Sequence, residues 1–71
     1  MHREIRHKIG SAIRKTRQTK GLTQAELAEI SRVTYKYVQQ IEGKNPPNVR
    51  IDTLARLAKG LKTPVWKLLQ S

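Results

Sequence analysis

The residues of this chain best equipped to recognise another molecule lie in one run, TYKYVQQIE at positions 34 to 42, which holds both tyrosines, a lysine and two glutamines. Glutamine presents a donor and an acceptor that fit adenine N6 and N7, and lysine donates to guanine O6 or N7, so these types suit the floor of a DNA major groove. At about 100° per residue, Thr34, Tyr37, Val38 and Ile41 share one side of a helix, and Tyr35, Lys36, Gln39 and Gln40 share the other. Val38 and Ile41 are then core residues, and Tyr37 sits at the core edge with its hydroxyl reaching solvent or a phosphate. The outer side is either ordinary solvated surface or a reading face.

Other chemistries find little support. His2 and His7 are five apart, off the spacing of three or four that would place two metal ligands on one helical face, and they are expected to be solvated. With no cysteine in the chain, neither a disulfide nor a structural zinc site is expected. The four glycines form no phosphate-cradling loop, and no Ser/His/Asp or paired-carboxylate set is dense enough to propose catalysis. No enzyme activity, cofactor or metal is expected.

Charge points to a polyanionic partner. The formal net charge is +10 on 71 residues, with a sequence pI of about 10.8. Residues 1 to 20 carry seven basic residues against one acidic, residues 23 to 44 three against three, and residues 45 to 71 five against one. A neutral centre between basic arms suits sequence reading flanked by phosphate contacts better than uniform coating. No apolar run reaches the length of a membrane span, and MHREIRHKIG lacks the apolar centre of a secretory signal, so a cytoplasmic protein without a membrane partner is expected. The length admits one domain, spanning residues 1 to 71, with a core small enough that tight helix packing or dimerisation must stabilise it.

The elements that must position TYKYVQQIE are all helical. Ile5, Ile9, Ala12 and Ile13 recur at helical spacing in EIRHKIGSAIRKTRQTK, and Gly21 ends that helix. Thr23 and Glu26 form a capping box that opens a second helix with Leu27 and Ala28 on its core face. Ser31, Arg32 and Val33 make a tight turn, and Thr34 caps a third helix running to about Glu42. GKNPPN is a loop. Ile51, Leu54, Leu57, Ala58 and Leu61 form the stripe of a fourth helix, and TPVWKLL starts a fifth, with Thr63 as cap and Pro64 at its first helical position. The expected fold is all-α, five short helices around Leu27, Val38, Ile41, Leu54 and Leu57.

The run GLTQAELAEISRVTYKYVQQIEGK, followed by TLARLAKGLKTPVWKLL, resembles the helix-turn-helix domains of phage repressors and Cro, the XRE-like transcriptional regulators, from about Ile9 to Leu69. That resemblance implies a lambda-repressor-like five-helix domain that binds operator DNA as a dimer, with the third helix in the major groove. It implies base contacts from Tyr35, Lys36 and Gln40, with Gln39 a weaker candidate, and backbone contacts from Gln24, Thr34, Lys44 and Asn45, which the hydroxyl of Tyr37 can join. Arg17 and Glu42 fall where many members form a buried ion pair between the first helix and the end of the third. Two departures stand out. Arg32 occupies a turn position where glycine is usual, so either the turn differs or a non-glycine residue takes φ > 0. The segment Ile41-Glu42-Gly43-Lys44 is one residue short of the usual pattern, which leaves the backbone contacts of Lys44, Asn45, Asn48 and Arg50 open.

Three further features accept two readings. Arg3, Arg6 and Lys8 are either an arm along the DNA backbone or the wet face of the first helix, the latter slightly favoured. Val65, Trp66 and Leu69 lie with Leu68 on a helix too short to bury all four, so Val65, Trp66 and Leu69 are candidates for a homodimer contact. Ile30 either joins that contact or covers the core edge. The leading expectation is a sequence-specific DNA-binding repressor, cytoplasmic and nucleoid-associated, of bacterial or phage origin. The competing one is an antitoxin-like protein that binds its operator and holds a protein partner as well.

Overall fold

Five helices and no strand make up residues 3–70, the part of the chain that the computed structural model describes: α1 (Arg3–Thr19), α2 (Gln24–Ser31), α3 (Tyr35–Ile41), α4 (Ile51–Gly60) and α5 (Val65–Leu69). His2 lies outside the described residues. The expected boundaries hold to within a residue or two for α1 to α4.

The α1–α2, α2–α3 and α4–α5 connections are tight for identifiable reasons. The Thr23 hydroxyl accepts from Glu26 N, and Glu26 in turn accepts from Thr23 N, so the capping box is complete at the start of α2. Helices α1, α2 and α4 each end on a residue in the left-handed region: Gly21 (φ 72), Arg32 (φ 58) and Lys62 (φ 54). In each case the following N–H reaches back five residues, Leu22 to Arg17, Val33 to Ala28 and Thr63 to Ala58, while the left-handed residue itself bonds three residues back. This is the Schellman closure, which satisfies carbonyls a helix end would otherwise leave bare. Arg32 therefore closes the turn in the usual left-handed geometry without glycine. Lys62 does the same at a position that no local residue pattern marks.

A single cluster of buried apolar residues lies between the helices: Ile9, Ile13, Leu27, Ala28, Val38, Ile41, Val49, Leu54, Leu57, Ala58, Leu61 and Leu68, with Leu22, Val33, Tyr37 and Val65 packed at its edge. Helix α2 pairs with α3 and α4, and α1 pairs with α5 and α3. Two of these pairings require glycine. A Cβ on Gly10 would collide with the carbonyl of Ile41, so α1 crosses the end of α3 at backbone distance. A Cβ on Gly60 would meet the Ser31 hydroxyl, which brings α4 equally close to α2.

Three expectations need correction. Ile5 is 47% exposed, because the first turns of α1 run past the end of the core and leave it no partner. Ile51 is 72% exposed, and Val49 takes its place in the core, because the chain enters the interior before α4 begins. Pro64 precedes α5 instead of opening it: its ψ of 148 is extended, its carbonyl accepts from Lys67 N, and as the N-cap itself it displaces Thr63 from that position and offers no side-chain cap.

Candidate nucleic-acid interface

Helix α3 begins where Thr34, extended at ψ 153, turns its hydroxyl onto Tyr37 N at 3.0 Å. That bond supplies one of the acceptors a helix start lacks and fixes the direction in which α3 leaves the turn. Val38 and Ile41 are fully buried, so the helix has one permitted rotation about its axis. That rotation exposes Tyr35, Lys36, Gln39 and Gln40 together, and they form the outer face of α3. Tyr37 is half-buried at the core edge, and burial pushes its hydroxyl above the ordinary value of 10.0, against a smaller lowering by Arg56.

The other end of α3 is held by an ion-pair cage. Arg17 Nε donates to Glu42 Oε2 at 2.8 Å and Arg17 Nη2 to Glu42 Oε1 at 2.9 Å, a two-bond fork between α1 and the residue that follows α3. The remaining Arg17 nitrogen donates to Leu22 O at 2.7 Å, and Gln24 Nε2 donates to Glu42 Oε1 at 3.1 Å. The side chains of Arg17 and Glu42 are 11% and 3% exposed, so the pair is buried and nearly fully hydrogen-bonded, the condition under which a buried charge pair is tolerated. The Glu42 hydrogen bond raises the Arg17 pKa more than burial lowers it, so the guanidinium stays charged. One fork thus ties α1, the α1–α2 turn, the start of α2 and the end of α3 together.

The residues expected at phosphates lie around this helix. Gln24 is half-buried and spends one amide hydrogen on Glu42, which leaves the other for an external acceptor. Thr34 is exposed, its oxygen engaged as a cap but its proton available. Lys44 and Asn45 are exposed in the loop after α3, and the next residue, Pro46, is buried with its carbonyl accepting from Arg6 Nη1 at 3.3 Å. Arg50 pairs instead with Asp52 at 3.2 Å on the open surface.

Away from α3, Leu68 is fully buried while Trp66 and Leu69 are 57% and 48% exposed, and Val65 is half-buried at the core edge. Lys67 places its ammonium 5.9 Å from the Trp66 ring centroid. Ile30 is 54% exposed but lies against Gly60. Its Cγ2 thus lies at the α2–α4 junction, with about half of the side chain open to solvent. Among the described residues no three His, Cys, Asp or Glu side chains gather as metal ligands, and no helix is long and apolar enough to cross a membrane.

Gly10 carries a role that the sequence reading does not name, and Arg6, expected on a DNA-facing arm or on the wet face of α1, is half-buried against Pro46. A glycine inside an otherwise regular amphipathic helix is the usual mark of a close backbone approach, so Gly10 carried a readable signal. Arg6 carried none, since its partner is a backbone carbonyl forty residues away.

The family described as Helix-turn-helix matches residues 13–65. Control protein C.SmaI of Serratia marcescens is 39% identical over 66 residues, which span 93% of this chain and 77% of that protein. The restriction-modification controller protein C.AhdI from Aeromonas hydrophila has a similar structure, with a TM-score of 0.83 and 32% identity over 89% of this chain and 94% of that one. C.Esp1396I, solved bound to a 19 base pair DNA duplex, gives a TM-score of 0.82 and 32% identity over 92% and 89% of the two chains.

Proposed function

The chain belongs to the helix-turn-helix family of DNA-binding transcription regulators, of the phage repressor and Cro type, and we propose from this that it reads a two-fold symmetric operator as a homodimeric repressor. The observation that carries the proposal is the division of α3, buried along Val38 and Ile41 and exposed along Tyr35, Lys36, Gln39 and Gln40. A helix offered in this way fits the major groove, about 12 Å wide, and brings side chains with base-edge chemistry to its floor. Lys36 and the two glutamines select bases, and the Tyr35 ring covers an apolar base edge. Gln24, Thr34, Tyr37, Lys44 and Asn45 hold the backbone on either side and set the register. The solved complex of the related C.Esp1396I with a duplex supports DNA as the partner.

One helix makes few base contacts, whereas a two-fold pair spans half-sites about 34 Å apart and multiplies selectivity. Val65, Trp66 and Leu69 supply the contact between copies. The protein acts in the cytoplasm, at the nucleoid of a bacterium or a phage host, and its work is occupancy of a site without catalysis. A second reading, that of an antitoxin-like protein, gives the same Trp66 and Leu69 surface to a different protein. Purification from the native host separates the two, since a stoichiometric second protein supports the antitoxin and a clean homodimer the repressor.

Selection of bound sequences from a random duplex pool tests the main reading. A two-fold symmetric motif is expected, and a pool that stays unenriched would overturn it. Lys36→Ala is expected to weaken binding by about 1–3 kcal/mol at one base pair of each half-site and to relax the choice there. Equal loss on every sequence would assign Lys36 to a phosphate.

A further inference from the structure

Helix α1 grips the connection between α3 and α4 at three levels. Arg17 forks onto Glu42, Gly10 meets the Ile41 carbonyl, and Arg6 donates to the Pro46 carbonyl. Positions 6, 10 and 17 are four and seven apart, so they lie on one stripe of the helix, and Arg3 continues that stripe toward its start. Arg3, Arg6 and His7 line a cleft of about 370 Å³ against Asn45, Pro46 and Pro47. No carboxylate lines this cleft. Arg6 is half-buried and bonded to Pro46 through Nη1, and its Nε is buried without a hydrogen-bond partner, so one donor of this charged group is unsatisfied. The cleft is continuous with the loop of Lys44 and Asn45, which the proposed function places on the DNA backbone. Lys8, of the same basic run, is exposed and lies outside it.

We propose that this cleft is a phosphate site that takes one backbone phosphate of the bound duplex, beyond the strand segment held by α3. Arg3 and His7 donate from one wall and the Asn45 amide from the other, while Arg6 holds the loop at the right distance through Pro46. The basic run of α1 thereby divides: Arg3 and Arg6 serve the DNA, and Lys8 is solvated. A duplex phosphodiester, a monoanion, and free inorganic phosphate offer these donors the same kind of acceptor oxygen. Charge complementarity and continuity with the loop assign it to the duplex.

The inference rests on the DNA-binding reading, and titrations of the full chain at several KCl concentrations separate the two. Arg3→Gln combined with His7→Gln removes both donors, neither of which makes a side-chain hydrogen bond within the described residues, so an unchanged Tm is expected. Arg6 is left alone because it holds the loop. Cognate and scrambled duplexes should both lose affinity by the same factor, about eightfold per cleft and about sixtyfold for the homodimer near 0.1 M salt, with the salt slope reduced by about 1.8 for its two phosphates. Asn45→Ala should move both quantities in the same direction. A wild-type protein that binds no duplex would defeat the functional reading itself. A wild type that binds, beside a double variant with unchanged affinity and slope, would overturn only the cleft assignment, as would a loss confined to the cognate sequence. Melting in inorganic phosphate against chloride of equal ionic strength provides the other arm. Equal behaviour of wild type and variant is expected, and a saturable rise in wild-type Tm that the variant lacks would replace the duplex with a free anion.

Discussion

The two ends of α3 are built on opposite plans. At its C-terminal end the Ile41 carbonyl rests against Gly10, and Glu42 receives three hydrogen bonds from Arg17 and Gln24. At its N-terminal end one capping bond from Thr34 follows a turn closed by Arg32 in the left-handed region, and the next side chains, Tyr35 and Lys36, are exposed. A helix that reads a groove must have its axis fixed by the protein and its tip left available to the ligand. The structure meets both needs by concentrating buried polar bonds at one end and leaving the other with a single exposed side-chain cap and local backbone bonds.

The largest disruption of this contrast is expected from Arg17→Ala. It leaves Glu42 buried with only Gln24 for company, and should cost about 3 kcal/mol, the low end for breaking a buried pair because Arg17 keeps an edge in solvent. Chemical denaturation measures this, and loss of DNA affinity at full stability would instead make the pair part of the reading surface. Gly10→Ala should cost about 1–3 kcal/mol, toward the upper figure because the opposing atom belongs to the backbone and cannot rotate away. An unchanged Tm there would show that α1 and α3 are not in close register. At the other end the sign reverses. Arg32→Gly relieves a left-handed non-glycine residue, so a gain of about 1 kcal/mol and a Tm rise of roughly 4–8 °C are expected. If DNA affinity falls while Tm rises, Arg32 also contacts a phosphate.

The smallest effect concerns the middle of the helix and alkaline pH. Burial raises the Tyr37 pKa above 10.0, so the folded state holds that proton more tightly than the unfolded state does. The associated stability is fully present below 10.0 and is lost as pH rises through the higher folded value. Tyr37→Phe should therefore match wild type in pH dependence up to about 10 and fall less steeply above it. Parallel curves in urea unfolding would place the hydroxyl in bulk water.

Much of this contrast was legible before any coordinates. The Thr23–Glu26 box and the Thr34 cap follow from residue type three positions apart, because capping is local chemistry. The outer face of α3 followed from helical period once Val38 and Ile41 were placed inside. Arg17–Glu42 was legible only through family resemblance, since nothing local links positions twenty-five apart. Periodicity tells which face of a helix is apolar but not where along the chain the core begins and ends: Ile5 lies past its end on α1, and Val49 enters it before α4 in place of Ile51.

By itself, then, the sequence determined what the first four helices are: the start, the buried side, and the polar groups offered outward. Helix formation depends on bonds four residues apart and caps on bonds three apart, all within reach of a local reading. Tertiary structure alone decided that Gly10 lets α1 touch α3, that Lys62 takes a left-handed turn, and that Arg6 braces the Pro46 loop. The contacts of Gly10 and Arg6 join residues thirty or more positions apart, and the Lys62 turn depends on where α5 must pack. Their energies arise only once the core has brought the helices together.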